Sequence, residues 1–252
     1  MNPAGRLPSC GPTNRPDPHT TSEPACEVCV QPAIRTGINA VVLDFDGTVG
    51  DTTLVHERAL RAALQDFGRN LDSGWYRQHI GLSIHDLLTD LPAARGLPHG
   101  EIIRKSRAHL LATMDSITSI TCVISLLRTA RRDGLPCAIA SGASGLLVRP
   151  ALAALGLTAE FTAIVVREDA ERGKPAPDLY TEAARRLGIP PGRCLAVDDA
   201  SDGVTSARAA GMHLLTLVDG HLATVHAPQN SDDASTAAQG ENDAPFVHNQ
   251  EP

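Results

Sequence analysis

The chain has 252 residues, which is enough for one sizeable domain or for a domain with a smaller insertion. Its formal net charge is −7, but the segment from residue 219 onward holds six acidic residues and no Lys or Arg, so the remainder is close to neutral. The absence of a basic stripe, of a long apolar run and of an apolar N-terminal segment argues against nucleic-acid partners, membrane partners and secretion, and we expect a cytoplasmic protein.

Two terminal segments flank a patterned region. Residues 1–36 are rich in Pro, Thr, Ser and Gly, and residues 220–252 have a similar, strongly acidic composition. Both are predicted to be disordered tails, because neither has the apolar content to form a core. The first tail contains the pair Cys26 and Cys29, for which no second pair lies at the spacing of a zinc finger, and its role stays open.

Short apolar strands alternate with amphipathic helices along the patterned region. Strands are predicted at 38–43, 136–140, 161–166, 194–197 and 213–218. Residues 52–118 have a helical pattern throughout and interrupt the alternation. Alternating strands and helices indicate βαβ units with a parallel sheet. The predicted fold class is therefore α/β, with a Rossmann-like core at 37–51 and 119–219 and a small inserted α-helical cap domain at 52–118.

The first strand ends in the sequence Asp44-Phe45-Asp46-Gly47-Thr48. The alternation of side chains along a strand places Asp44 and Asp46 on the same side. Two carboxylates held this close repel each other, unless a cation joins them or one of them is protonated. The pair therefore predicts one ionised nucleophile and one acid/base group that carries a proton.

Three more polar clusters follow later strands, at the edge of the sheet where ligands bind in such folds. Ser141 and Gly142 offer a hydroxyl and a flexible backbone that can hold a phosphate oxygen. Lys174 is one of only two lysines among 22 basic residues, and its loop is stiffened by two prolines, so it is a candidate for neutralising a phosphoryl group. Asp198 and Asp199 suit a hard cation such as Mg²⁺.

These four clusters, in this order, resemble the motifs of the haloacid dehalogenase superfamily, in the branch of sugar phosphatases and β-phosphoglucomutases with a helical cap. The resemblance implies that Asp44 attacks phosphorus to form an aspartyl-phosphate, while Asp46 protonates the leaving oxygen and then deprotonates water. It also implies two sets of ligands, which are Ser141, Gly142 and Lys174 for the phosphate and Asp44, Asp199, Asp198 and the backbone carbonyl of Asp46 for Mg²⁺.

The cap is expected to choose the substrate. His56, Arg77 and His79 are the candidates for contacting it, whereas Ile84 stands where the mutases carry an arginine that grips a second phosphate. We therefore predict a Mg²⁺-dependent phosphatase for a small phosphorylated metabolite, with a sugar phosphate as the expected substrate, acting as a monomer or weak dimer. The alternatives are a β-phosphoglucomutase-type isomerase and, less favoured, an inactive binding or regulatory protein with the same fold.

Overall fold

A computed structural model of the chain describes residues 34–80, 82, 84–218 and 220–224. The predicted tails at 1–36 and 220–252 lie outside these residues, except for 34–36 and 220–224, and so does the pair Cys26 and Cys29. In the part of the chain that is described, no helix is long and apolar enough to cross a membrane.

Six strands form one sheet, and two very short strands pair separately. The strands are β1 (Ala40–Leu43), β2 (Gly50–Asp51), β3 (Thr118–Ser119), β4 (Cys137–Ala140), β5 (Ala163–Val165), β6 (Cys194–Asp198), β7 (His213–Val218) and β8 (His221–Thr224). The order in the large sheet is β5-β4-β1-β6-β7-β8, and every pair is parallel except β7 with β8. All four residues of β1 are buried, as expected for a strand covered on both faces. The predicted α/β fold class is confirmed.

Among the residues that the structure describes, four α-helices cover the sheet and four lie in the insertion. The insertion contains α1 (Thr53–Gln65), α2 (Ser73–Gln78), α3 (Ile84–Asp90) and α4 (His99–Ala112), and the sheet carries α5 (Thr121–Arg132), α6 (Gly145–Ala154), α7 (Asp178–Leu187) and α8 (Ser201–Ala209). In α7, Leu179, Tyr180, Ala183 and Ala184 are buried at helical spacing and pack on one face of the sheet.

The insertion has an apolar core of its own. Leu60, Leu64, Leu88 and Ile102 belong to a buried cluster that is separate from the clusters on the two faces of the sheet. This separate core supports the proposed division into a sheet domain and a cap at 52–118.

The structure differs from the sequence prediction at two places. Strand β8 pairs antiparallel with β7, and Val218 is the register partner of His221, so the C-terminal tail does not begin at 220 as predicted. Strands β2 and β3 pair antiparallel through Gly50 with Ser119 and Asp51 with Thr118. This unpredicted pair places the two connections between sheet and insertion side by side.

Candidate active site

The sheet brings the polar clusters to one edge. Asp44 follows β1, Ser141 follows β4, and Asp198 is the last residue of β6. Strand β1 lies between β4 and β6 and is parallel to both, so the carboxyl ends of these strands meet. The chain leaves β1 on one side towards β4 and β5 and on the other side towards β6 and β7, so the strand order reverses at β1. In open α/β sheets, such a reversal leaves a crevice in which ligands bind.

Lys174 joins two of these strand ends. Its Nζ donates to Asp44 Oδ1 at 2.5 Å and to Asp198 Oδ2 at 2.6 Å. Burial alone would lower the pKa of Lys174, but Asp44 and Asp198 outweigh it and raise that pKa. The ammonium is therefore charged at neutral pH, and its third N–H remains to meet a substrate oxygen.

Asp198 is held on both carboxylate oxygens. Besides Lys174, its Oδ2 accepts a hydrogen bond from the Tyr180 hydroxyl at 2.6 Å, and its Oδ1 accepts from the backbone N–H of Ala200 at 3.0 Å. Gly203 lies directly against this carboxylate, because a Cβ placed there would be 1.9 Å from Oδ2. The predicted metal residue Asp198 is therefore turned towards Lys174 and the start of α8.

Asp199 lies against the turn that follows β1. Thr48 Oγ1 donates to its Oδ1 at 3.0 Å. Gly47 has a φ of +77°, which disfavours any other residue, and a Cβ at Gly47 would meet Asp199 Oδ2 at 2.3 Å. Burial, together with the charge of Asp198, raises the pKa of Asp199 to about 6.

Three carboxylates are close enough to hold one cation. Asp44, Asp198 and Asp199 each offer an oxygen within 4.8 Å of the others. Burial raises the pKa of Asp44, with contributions from Asp198, Asp199 and Asp46 and against the attraction of Lys174. An all-oxygen set of mutually repelling carboxylates fits a hard divalent cation such as Mg²⁺, which would relieve that repulsion.

The cap reaches the second aspartate of the first motif. His56, on α1, lies with its Nε2 3.1 Å from Asp46 Oδ1, so its N–H can donate to this carboxylate. Burial would raise the pKa of Asp46, but the hydrogen bonds from His56 and Thr52 outweigh it, so the pKa is lowered. His56, a predicted substrate contact, thus contacts Asp46.

The loop after β4 contains Ser141 and Gly142, the two residues predicted to bind phosphate. Ser141 is buried, and its Oγ accepts a hydrogen bond from the backbone N–H of Ala143 at 3.0 Å, so its own O–H can still donate. Gly142, the next residue, is exposed. Ser141 therefore has a fixed position and a free donor at the same edge as Asp44.

Arg77 and His79, the other candidates in the cap, have their described interactions within the insertion. The Nδ1–H of His79 donates to the backbone carbonyl of Trp75 at 2.7 Å, and the two rings stack with centroids 3.8 Å apart. Arg77 is exposed, and its charge helps to lower the pKa of Glu57. No described hydrogen bond or ion pair joins either residue to Asp44 or Asp46.

Two residues of this site were missed from the sequence. Neither Tyr180, on α7, nor Thr48, in the turn after β1, is among the residues for which the sequence predicts a role. A tyrosine at a fully buried helical position is a usable signal, because its hydroxyl needs a partner in the interior. The partner itself, Asp198, lies on a different element and carries no local signal.

The fold and the site together define a class of protein. Two aspartates, a buried lysine and a further acidic pair lie at the switch point of a Rossmann-like sheet, and this set of charges suits an anionic substrate together with a cation. The family model of the haloacid dehalogenase-like hydrolases matches residues 38–211, and the chain belongs to this family.

Named relatives agree with this assignment. The chain is 31% identical over 178 residues to fructose-1-phosphate phosphatase YqaB of Escherichia coli, which covers 68% of this chain and 92% of that protein. It is 33% identical to hexitol phosphatase A of Escherichia coli, over 70% of this chain and 81% of that protein. Among solved structures, CbbY from Rhodobacter sphaeroides in complex with phosphate has a TM-score of 0.65 at 26% identity, over 78% of this chain and 92% of that one.

Proposed function

We propose that this protein is a Mg²⁺-dependent phosphatase that hydrolyses a small organic phosphate, with a sugar phosphate as its substrate, through an aspartyl-phosphate on Asp44. The observation that carries the proposal is the position of Lys174, whose ammonium bridges Asp44 and Asp198 at the switch point of the sheet. The predicted enzyme class, a phosphoric monoester hydrolase, is confirmed by the family and by relatives that are named as phosphatases.

The two aspartates of the first motif divide the chemistry. A carboxylate oxygen of Asp44 attacks phosphorus, the bond from phosphorus to the leaving oxygen breaks, and Asp46 gives that oxygen a proton. Asp46 then takes a proton from water, whose oxygen attacks the same phosphorus and releases phosphate and Asp44. A positioned acid of this kind contributes about 10²-fold to 10⁴-fold in rate. The contact with His56 fixes the position of the Asp46 carboxylate, and it favours the ionised form, which is the form that takes the proton from water.

The phosphoryl oxygens are held by donors at the sheet edge. Lys174 supplies its third N–H and a positive charge, Ser141 supplies its hydroxyl, and Gly142 supplies backbone without a side chain in the way. Phosphoryl transfer depends mainly on positioning and on neutralising charge, and this set supplies both.

A divalent cation completes the proposed site. Mg²⁺ held by Asp44, Asp199 and the backbone carbonyl of Asp46, with Asp198 beside it, would neutralise charge on the phosphoryl group and favour the ionised form of Asp44. Burial raises the pKa of Asp44, and a cation held beside it would offset this effect by favouring the ionised carboxylate that acts as the nucleophile.

The cap is proposed to select the substrate. Of the three candidates in the cap, His56 contacts the site through Asp46, and Arg77 and His79 stay predictions as substrate contacts. The relatives named for fructose 1-phosphate and for hexitols support a phosphorylated sugar or sugar alcohol as the substrate class. A cytoplasmic location and a monomeric or weakly dimeric state stay predictions.

The test is phosphate release from fructose 1-phosphate, hexitol phosphates and other small phosphate esters, measured with Mg²⁺ and with EDTA. We expect release from one compound class with Mg²⁺, loss of release with EDTA, and no turnover by the folded variant Asp44→Asn. Turnover by Asp44→Asn would contradict the mechanism. No net release, combined with conversion of β-glucose 1-phosphate in the presence of its bisphosphate, would replace the phosphatase by the mutase.

A further inference from the structure

Tyr180 is a polar side chain in an otherwise apolar place. It lies on α7 with none of its surface exposed, in a cluster with Ala183, Ala196 and Val42. A phenylalanine would fill the same volume in this cluster, so packing alone does not require the hydroxyl. That hydroxyl donates to Asp198 Oδ2 at 2.6 Å, and this contact is the feature that packing leaves unexplained.

The hydroxyl shares its acceptor with the lysine of the site. Asp198 Oδ2 accepts from both Tyr180 and Lys174 at 2.6 Å, and Lys174 also donates to Asp44 Oδ1 at 2.5 Å. The Lys174 Nζ further lies 5.2 Å from the centroid of the Tyr180 ring, within the range of a cation–π contact. Tyr180 therefore contacts both the ammonium and the carboxylate that pairs with it.

The position of the ammonium is a balance between two carboxylates. Asp44 and Asp198 both attract Lys174, and the Tyr180 hydroxyl takes up part of the hydrogen-bonding capacity of Asp198 Oδ2. Without the hydroxyl, this buried carboxylate would have one donor fewer and would hold the ammonium more strongly. Lys174 would then move towards Asp198, away from Asp44 and from the phosphoryl group.

We propose that Tyr180 is a positioning residue: its hydroxyl, acting through Asp198, fixes Lys174 at the place from which it contacts both Asp44 and the phosphoryl group. Tyr180 is fully buried on α7, so its proposed effect on the substrate is indirect and runs through Asp198 and Lys174. The inference deepens the proposed function and rests on it, since it assigns a residue that sets phosphate binding and turnover at the same site.

The variant Tyr180→Phe removes only the hydroxyl. We expect kcat to fall by about 10-fold or more, the change that corresponds to losing one hydrogen bond to a charged group. The dissociation constant of orthophosphate, measured by calorimetry, should rise, whereas the Mg²⁺ concentration for half-maximal activity should stay the same. Ala183→Gly is the matched control, because it weakens the same helix and cluster without touching Asp198, and we expect it to keep the wild-type kcat.

A double-mutant cycle separates positioning from general loosening of the helix. In an Asp198→Asn background, Tyr180→Phe should have little further effect on phosphate binding or kcat, because the hydroxyl acts only through Asp198. Additive effects of the two substitutions, wild-type behaviour of Tyr180→Phe, or an equal loss in Ala183→Gly would each overturn the inference.

One more outcome would overturn the inference: a Tyr180→Phe variant that needs more Mg²⁺ but binds orthophosphate as the wild type does. In that case the hydroxyl would act on the cation and not on Lys174. If the wild type hydrolyses no phosphate ester, the proposed function fails, and the orthophosphate measurements alone decide whether Tyr180 positions Lys174.

Discussion

Substituting Gly203 by alanine is the most direct test of how Asp198 is held. Gly203 lies in α8 and is buried against the Asp198 carboxylate, and a Cβ there would lie 1.9 Å from Oδ2 and 2.1 Å from Oδ1. Non-bonded atoms cannot lie this close to each other, so either the carboxylate or the helix must move. The carboxylate cannot move without stretching its bonds to Lys174, Tyr180 and the Ala200 backbone.

The size of the effect follows from these contacts. A hydrogen bond to a charged group contributes about 1.5 to 3 kcal/mol, so the loss of one or two of them costs about 3 kcal/mol. Replacing glycine by alanine inside a helix normally gains about 1 kcal/mol, which offsets part of that loss. We therefore expect Gly203→Ala to lower the free energy of unfolding by about 2 kcal/mol, or Tm by about 4–8 °C for a chain of this size.

The assay is chemical and thermal unfolding, combined with phosphate release under the conditions that suit the wild type. Gly100→Ala is the matched control, because Gly100 also lies in a helix, α4, but nothing lies within 4 Å of the added Cβ. We expect this control to be as stable as the wild type or slightly more stable, and equally active. If Gly203→Ala also matched the wild type in stability and turnover, the tight packing of Asp198 against α8 would be refuted.

Three further predictions concern other contacts. Replacing His56 by alanine should lower kcat by about tenfold, because Asp46 loses a hydrogen bond, and steady-state kinetics test this. The same variant should lower the free energy of unfolding by about 1 kcal/mol or less in urea, because both side chains are one-third exposed. Asp46→Asn should slow an alkyl phosphate more than p-nitrophenyl phosphate, whose leaving group needs no proton, and equal losses would contradict the acid role. Hydrogen bonds from Arg185, and then from Arg186, lower the pKa of Glu182 to about 2. The ionised Glu182 therefore adds to the free energy of unfolding above about pH 4.3, and this addition is lost as the pH falls towards 2. Glu182→Gln should lower the free energy of unfolding by about 1 kcal/mol at pH 7, a value that allows for solvent screening. In urea unfolding, the difference between this variant and the wild type should narrow below about pH 4.3.

The main strands and the placing of the motifs could be predicted because their signals are local. The apolar run before Asp44 and the alternation of strands and helices indicated a parallel sheet, and the sheet geometry then required Asp44, Ser141 and Asp198 to meet. The prediction needed no knowledge of any single contact, since parallel strands present their carboxyl ends at one edge.

The short pairings could not be predicted in the same way. Strands β2 and β3 have two residues each and are defined only by pairing with each other across the whole insertion. Strand β8 is four residues long and lies at the start of the segment that has the composition of a disordered tail, so it carries no periodic signal of its own and is defined by its pairing with β7. In both cases the partner strand, rather than the local sequence, determines the structure.

The different surroundings of Asp198 and Asp199 could not be predicted from the sequence either. The sequence placed Asp198 beside Asp199 and suggested the same role for both, since adjacent carboxylates suit a cation. Their environments differ because successive side chains at the end of a strand point in opposite directions. Asp198 therefore faces Lys174 and Tyr180, whereas Asp199 faces Thr48 and the turn that holds Asp46. Tertiary packing brings different donors to the two carboxylates, and we therefore propose that Asp198 mainly holds the lysine and that Asp199 holds the cation.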